Sequence, residues 1–334
     1  MHVTVIWAAI IALGVFMYLV LDGYDLGIGI VLPFFPDDHE RDLIMTNVAP
    51  VWDGNEAWLL LGGAALFAAF PVVYSTVLST LYLPLAFVLG CLVLRGVAFG
   101  RRTKNDSMRK QWDLAFIAGS AGAAFFQGVA LGAFLQGMPI QSHLNADHAM
   151  RWLTPFSVLS GLGLVATYAL LGACWLVART WGDLQRRLHR LVWPLTMGLL
   201  GFIVLVSVWR PLQDVTMAAR WFDARLFARL VPVPPLVLAC AYWMHRAMRA
   251  RRRTTPFLAA LSLVSLAYLG LFASLWPYAI PQSVTLWQAA APRSSHLSTL
   301  ACAAIVLPLI LAYTAMSHRL FRGRIRTVGS HPYR

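Results

Sequence analysis

Apolar runs of about 20 residues, each long enough to cross a hydrocarbon core, recur along the whole chain, and no polar stretch between them exceeds a loop. Such a chain cannot fold around one water-excluded core, because it has too little polar surface to cover it. Charged residues make up only 12% of its 334 positions, about half the share a soluble domain of this length carries. In a bilayer every backbone polar group must find its partner inside its own segment, which leaves helices as the spanning element for runs of this length. An all-α membrane protein is therefore expected, with spans near 4–33, 46–72, 74–99, 112–137, 154–178, 190–210, 229–247, 256–277 and 297–317. The first run is long for one span and predicts tilt or a short interfacial turn near Pro33. A tight turn is expected after Phe70, ahead of Pro71.

The net charge of +13 does not point to nucleic acid, because the basic residues are not gathered on a polar domain. They cluster in alternate loops instead: Arg41, Arg101 to Lys110, Arg179 to Arg190, Arg246 to Arg253 and Arg319 to Arg334 on one side. The opposite loops hold the sparser Arg151, Arg210, Arg220, Arg225, Arg229 and Arg293. Under the positive-inside rule the richer side is cytoplasmic, so the N-terminus faces outward and the C-terminus inward. An odd number of spans requires the same split. The start of the chain lacks the basic region and cleavage site of a removable signal peptide, so the first run is expected to stay. Four cysteines, Cys91, Cys174, Cys240 and Cys302, sit singly in apolar runs and read as packing residues. The outward loops carry His143, Asp147, His148, Asp214 and Asp223 without any ligand-type spacing, which reads as solvated loop surface.

Ionisable residues inside a span cost at least ~2.5 kcal/mol each and are functional candidates by default. Here they are confined to the first hundred residues: Asp22 and Asp25 in the first span, Asp53 and Glu56 in the second, Arg95 in the third. Asp113 opens the fourth. With the orientation above, all lie on the cytoplasmic side at similar depth, and each acid pair is three apart on one helix face. Two readings are open. In one, Arg95 neutralises Asp25 or a neighbour in a structural ion pair, since an unpaired arginine is untenable in hydrocarbon. In the other, acids that outnumber the single cation pass protons inward from the cytoplasm, with Asp53 as the first candidate. Gly23, Gly27 and Gly29 form a small-residue row that predicts close helix packing beside these acids. All nine histidines fall in loops or at span ends, so no haem or metal site is expected in this chain.

These motifs resemble subunit II of cytochrome bd-type, cyanide-insensitive-type, ubiquinol oxidases. The matching stretches are Asp22-Gly-Tyr-Asp-Leu-Gly-Ile-Gly29, Ala49-Pro-Val-Trp-Asp-Gly-Asn-Glu56 with Trp58, and Gly62 to Pro71 with Tyr74. Leu94-Arg-Gly-Val-Ala-Phe99 matches too, and weaker similarity runs through Phe126 to Phe134, Trp152 to Phe156 and Trp276-Pro277. The resemblance implies nine transmembrane helices in two four-helix bundles, 1–137 and 154–277, plus a ninth helix at 297–317. It implies residence in the bacterial inner membrane and a partner subunit I that carries the haems and oxidises quinol. The complex would reduce dioxygen to water, with Asp53, Glu56 and Lys104 on a cytoplasmic proton-uptake route. A small single-helix accessory subunit and a structurally bound quinone are further features the family allows. At position 100 the family usually places an acid and this chain has glycine, so the mouth of that route departs from the pattern. A proton-coupled transporter and a purely scaffolding subunit are the alternatives, the first disfavoured because charge appears in one half only.

Overall fold

The protein is described by a computed structural model covering residues 2–46, 52–102, 106–138, 150, 152–213 and 231–320. Its helices are α1 His2–Val31, α2 Asp38–Thr46, α3 Trp52–Ala69, α4 Pro71–Thr80, α5 Tyr82–Arg102 and α6 Arg109–Leu135. They continue as α7 Pro155–Arg179, α8 Gly182–Gln213, α9 Val233–Arg249, α10 Thr255–Leu275, α11 Leu286–Ala289 and α12 Arg293–Leu320. Among the described residues seven helices are long and apolar enough to cross a membrane. The shorter α3 and α9, of 18 and 17 residues, occupy the places of the second and seventh expected spans.

α1 is 30 residues long, about 45 Å at 1.5 Å per residue, which exceeds the hydrocarbon thickness. It ends in a short 3-10 turn at Leu32–Phe34 around Pro33, as its length suggested. α1 packs against α3, α6 and α7. The crossing with α7 is close: a Cβ on Gly27 would lie 1.8 Å from the Tyr168 carbonyl oxygen, and one on Gly172 would lie 2.3 Å from the Gly27 carbonyl carbon. Only glycine permits that approach. Gly23 lies under the Tyr168 ring, and Gly29 faces the Ser120 side chain of α6. α7 is the most enclosed of these spans and α12 the least. α12 therefore lies at the periphery and is pinned to α3 by specific contacts. The Trp58 indole donates to Thr314 at 3.1 Å, and Gly54 leaves room for the Tyr313 ring.

The third expected span is not one helix. After the turn at Phe70, α4 runs to Thr80, the chain breaks at Leu81, and α5 begins at Tyr82. Pro84 explains the break, because it has no N–H to donate to the Thr80 carbonyl four residues earlier. A second departure follows α10. A two-stranded hairpin, β1 Tyr278–Ile280 and β2 Val284–Thr285, turns through Gln282 at φ 62° and leads into α11, which Thr285 caps. Ile280, Val284 and Leu286 close over Trp7, Phe70, Met138 and Trp152 at the end of the bundle where α1 begins. The peptide N–H of Ala291 and the ring of His296 both reach the Ala69 carbonyl, at 3.0 and 2.8 Å, and secure this cap to α3. Cys174 is buried, Cys91 and Cys240 are partly buried, and Cys302 lies exposed on α12.

Candidate functional site

The C-terminal half of α1 is where the fold collects buried charge. Asp22 and Asp25 are fully buried, and Arg95 is 1% exposed. α5 brings Arg95 toward α1, so that its Nη1 lies 3.8 Å from Asp22 Oδ1 and 3.7 Å from Glu56 Oε1. The guanidinium also stands over the Phe116 ring of α6, 5.7 Å from its centre. Close approach of α6 to α5 makes this possible, since a Cβ on Gly119 would meet the Arg95 backbone N at 2.9 Å.

Arg95 was expected to neutralise Asp25 or a neighbour, and Asp25 itself is held by Asn55 of α3. Its Oδ2 accepts a 2.6 Å hydrogen bond from the amide of Asn55, which also reaches the Tyr24 hydroxyl at 3.1 Å and the Leu21 carbonyl at 3.3 Å. The ion-pair contacts of Arg95 run to the neighbouring Asp22 and to Glu56. The physical reason is helix phase: residues three apart share a face of α1 but are offset by about 60°, which is enough to set Asp22 nearer Arg95 of α5 and Asp25 nearer Asn55 of α3. Tyr24 seals this side by stacking on Trp175 of α7 with ring centres 4.3 Å apart.

Asp53 sits in the first turn of α3, one turn before Glu56, and its side chain lies outside the described residues, as does Lys104. Gly100 is on the last turns of α5, and a Cβ placed there would find nothing within 4 Å. Asp22, Glu56 and Arg95 are thus brought together, with Asp25 beside them through Asn55.

A second charged network was not foreseen from the sequence. Arg41 donates to Asp113 at 2.9 Å, and Arg102 donates to the other oxygen of the same carboxyl. Arg102 also reaches Asp42 at 2.5 Å, and Arg109 donates to that same Asp42 oxygen. The network ties α2 to the facing ends of α5 and α6, and Arg41 adds a 2.7 Å bond to the Phe35 carbonyl. Partial burial alone would raise the Asp42 carboxyl, but hydrogen bonds from Arg109 and Arg102 outweigh it and hold the group below the usual carboxylate range. Arg187 of α8 joins the same end through Glu40 at 3.0 Å.

Neutral polar residues also escaped sequence reasoning. Asn55 lies inside the Trp-Asp-Gly-Asn-Glu block, and Gln127 sits mid-span on α6. An amide in an apolar run was the available signal for both. Among the described residues no group of three or more His, Cys, Asp or Glu side chains could hold a metal ion. The His296 ring contacts the Ala69 carbonyl, and the His245 ring lies 4.8 Å from that of Trp193.

Fold and site together define a multi-pass helical membrane protein whose ionisable residues are buried between α1, α3 and α5. A family model described as cytochrome bd terminal oxidase subunit II matches residues 3–321. The cytochrome bd ubiquinol oxidase subunit 2 of Bacillus subtilis (strain 168) is 29% identical, with 96% of each chain covered. The cytochrome bd-I ubiquinol oxidase subunit 2 of Escherichia coli (strain K12) is 30% identical over 96% of this chain and 94% of its own. A chain of the bd oxidase structure from Geobacillus thermodenitrificans superposes with a TM-score of 0.78 at 18% identity, covering 96% of this chain and 99% of that one. The chain belongs to the cytochrome bd terminal oxidase subunit II family. It is therefore a subunit of an oxidoreductase complex, which implies a partner subunit I, and family membership decides against the permease reading.

Proposed function

We propose that this chain is the haem-free subunit II of a bacterial inner-membrane quinol oxidase and that its buried acids take up protons from the cytoplasm. In the complex, quinol gives up electrons and protons, and dioxygen takes up electrons and protons in equal number to become water. Haems and the quinol-oxidising loop belong to subunit I, which this chain supports by packing in the membrane. The chain is taken to cross nine times, as bundles 1–137 and 154–277 with a ninth helix at 297–317. A small accessory subunit and a structural quinone complete the expected assembly.

One observation carries the proton reading: Asp22 and Asp25 are both fully buried, Asp22 lies 3.8 Å from Arg95, and Asp25 is held by the neutral amide of Asn55. Two fully buried carboxylates beside one guanidinium favour a shared proton, which can exchange from the cluster. On this reading Asp53, one turn before Glu56 on α3, and Lys104, two residues after Arg102 in the sequence, are the residues through which protons would enter. The scaffolding reading draws on the same arginine, whose placement between Asp22 and Glu56 suits a structural ion pair. Asp53→Asn in a membrane preparation holding both subunits separates the two. Slowed quinol-driven oxygen consumption with unchanged haem content supports proton delivery, and full oxygen consumption removes that role.

A further inference from the structure

A chain of neutral groups leads out of the acid cluster toward the middle of the bundle. Tyr18 sits one turn before Asp22 on α1, at the i, i+4 spacing that puts both on one helix face. Its hydroxyl accepts a 2.5 Å hydrogen bond from the Gln127 amide N–H of α6, and the Tyr168 hydroxyl of α7 donates to the Gln127 amide oxygen at 3.0 Å. Tyr18 and Tyr168 are 7% and 1% exposed, so water does not compete for these bonds. Both oxygens of Asp22 are buried, and the carboxyl comes no nearer than 3.8 Å to Arg95 in their ion pair.

Counting donors gives this chain a direction. A phenol has one proton to donate, whereas an amide has an acceptor oxygen and a donor nitrogen in fixed relation. Once Tyr168 donates to the amide oxygen, Gln127 must present its N–H to Tyr18. Tyr18 then already accepts, and its own proton remains for the nearest group that needs one. That group is Asp22, whose carboxyl faces the Tyr18 hydroxyl along α1.

We propose that Tyr168 and Gln127 hold Tyr18 with its proton aimed at Asp22, which makes Gln127 a positioning residue of the buried acid cluster. The amide does not itself carry protons. It fixes the donor that stabilises Asp22 whenever the carboxyl is ionised, and so keeps a deprotonated state available inside the membrane. The consequence for turnover rests on the proton-uptake reading above, but the positioning does not.

The test is infrared difference spectroscopy of the purified two-subunit complex. Carboxyl bands that vanish in Asp22→Asn belong to Asp22. Tyr18→Phe should move those bands, by loss of the donor, and Gln127→Met, which keeps the side-chain volume, should move them in the same direction. The double variant should move them no further than Tyr18→Phe alone, because Gln127 acts through Tyr18. Tyr168→Phe should give a smaller shift of the same sign, and it keeps the test available if Gln127→Met fails to assemble. Unmoved Asp22 bands in Gln127→Met and Tyr168→Phe, or additive shifts in the double variant, would overturn the proposal. Moved bands together with full quinol oxidase activity in Asp22→Asn would leave the positioning intact and remove a role for Asp22 in proton uptake.

Discussion

Gly27→Ala adds one methyl group at the tightest point of the α1–α7 crossing. The new Cβ would lie 1.8 Å from the Tyr168 carbonyl oxygen and 2.9 Å from the Gly172 amide N. Real Cβ atoms essentially never come within 3.0 Å of such neighbours, and the three nearest atoms are all backbone, so no side chain can swing away. The helices must part by more than 1 Å. Overpacking of this kind costs ~1–3 kcal/mol or more, whereas replacing a helical glycine by alanine recovers ~1 kcal/mol or less. An all-backbone clash belongs at the upper end of that cost, so a net destabilisation of about 2 kcal/mol follows. Gly63→Ala is the matched control, because it adds the same methyl on α3 where nothing lies within 4 Å. Thermal unfolding of the detergent-purified complex, followed by the fluorescence of the 13 tryptophans, compares the two. Gly27→Ala should lower the midpoint by several degrees and Gly63→Ala should leave it level or slightly higher. A midpoint for Gly27→Ala at or above wild type would refute the reasoning.

Asp113→Asn leaves Arg41 and Arg102 without their shared carboxylate, and it should lower the same midpoint by an amount equivalent to roughly 2–3 kcal/mol; an unchanged midpoint would contradict that. Asp42 is more exposed, at 44% of its side chain, so its pairing with Arg102 and Arg109 is screened and contributes less. Its folded carboxyl is held below the unfolded range, so the stabilisation is fully present above pH ~4 and is lost as pH falls through the lower folded value. The midpoint difference between wild type and Asp42→Asn should therefore shrink toward zero in acid, and a difference that grows in acid would contradict this sign. Gly100→Asp enters open space on α5 and should leave stability unchanged. On the proton-uptake reading it should also quicken uptake, which a stopped-flow measurement with a pH-indicating dye can check.

Much of the cluster was legible in the sequence because charge in an apolar run has few fates. Asp22, Glu56 and Arg95 had to find one another, and the positive-inside count placed them at one depth. The partner of Asp25 was not legible, because choosing between Arg95 and Asn55 depends on helix phase and on how closely α3 approaches α1. Gln127 and Tyr18 carry no charge, and a hydropathy pattern treats them as minor interruptions of a span. The Asp113 network was hidden for another reason. Arg41, Arg102 and Arg109 counted as loop charges that orient the chain, and only the folded position of α2 turns them into partners. Nor does periodicity mark the break at Leu81, since the α4 and α5 segments are equally apolar on either side of it. The hairpin at Tyr278–Thr285 lies where the apolar signal fades, and its strands are too short to register.

The proton-uptake account meets its most direct test in the reaction of the fully reduced two-subunit complex with dioxygen, followed by haem absorbance and by a pH-indicating dye in the same stopped-flow mixture. With Asp25→Asn, the account predicts that dioxygen binding at the haem keeps its rate while proton uptake from solution slows at least tenfold. Proton uptake at the wild-type rate in that variant, with haem content and assembly intact, would contradict it.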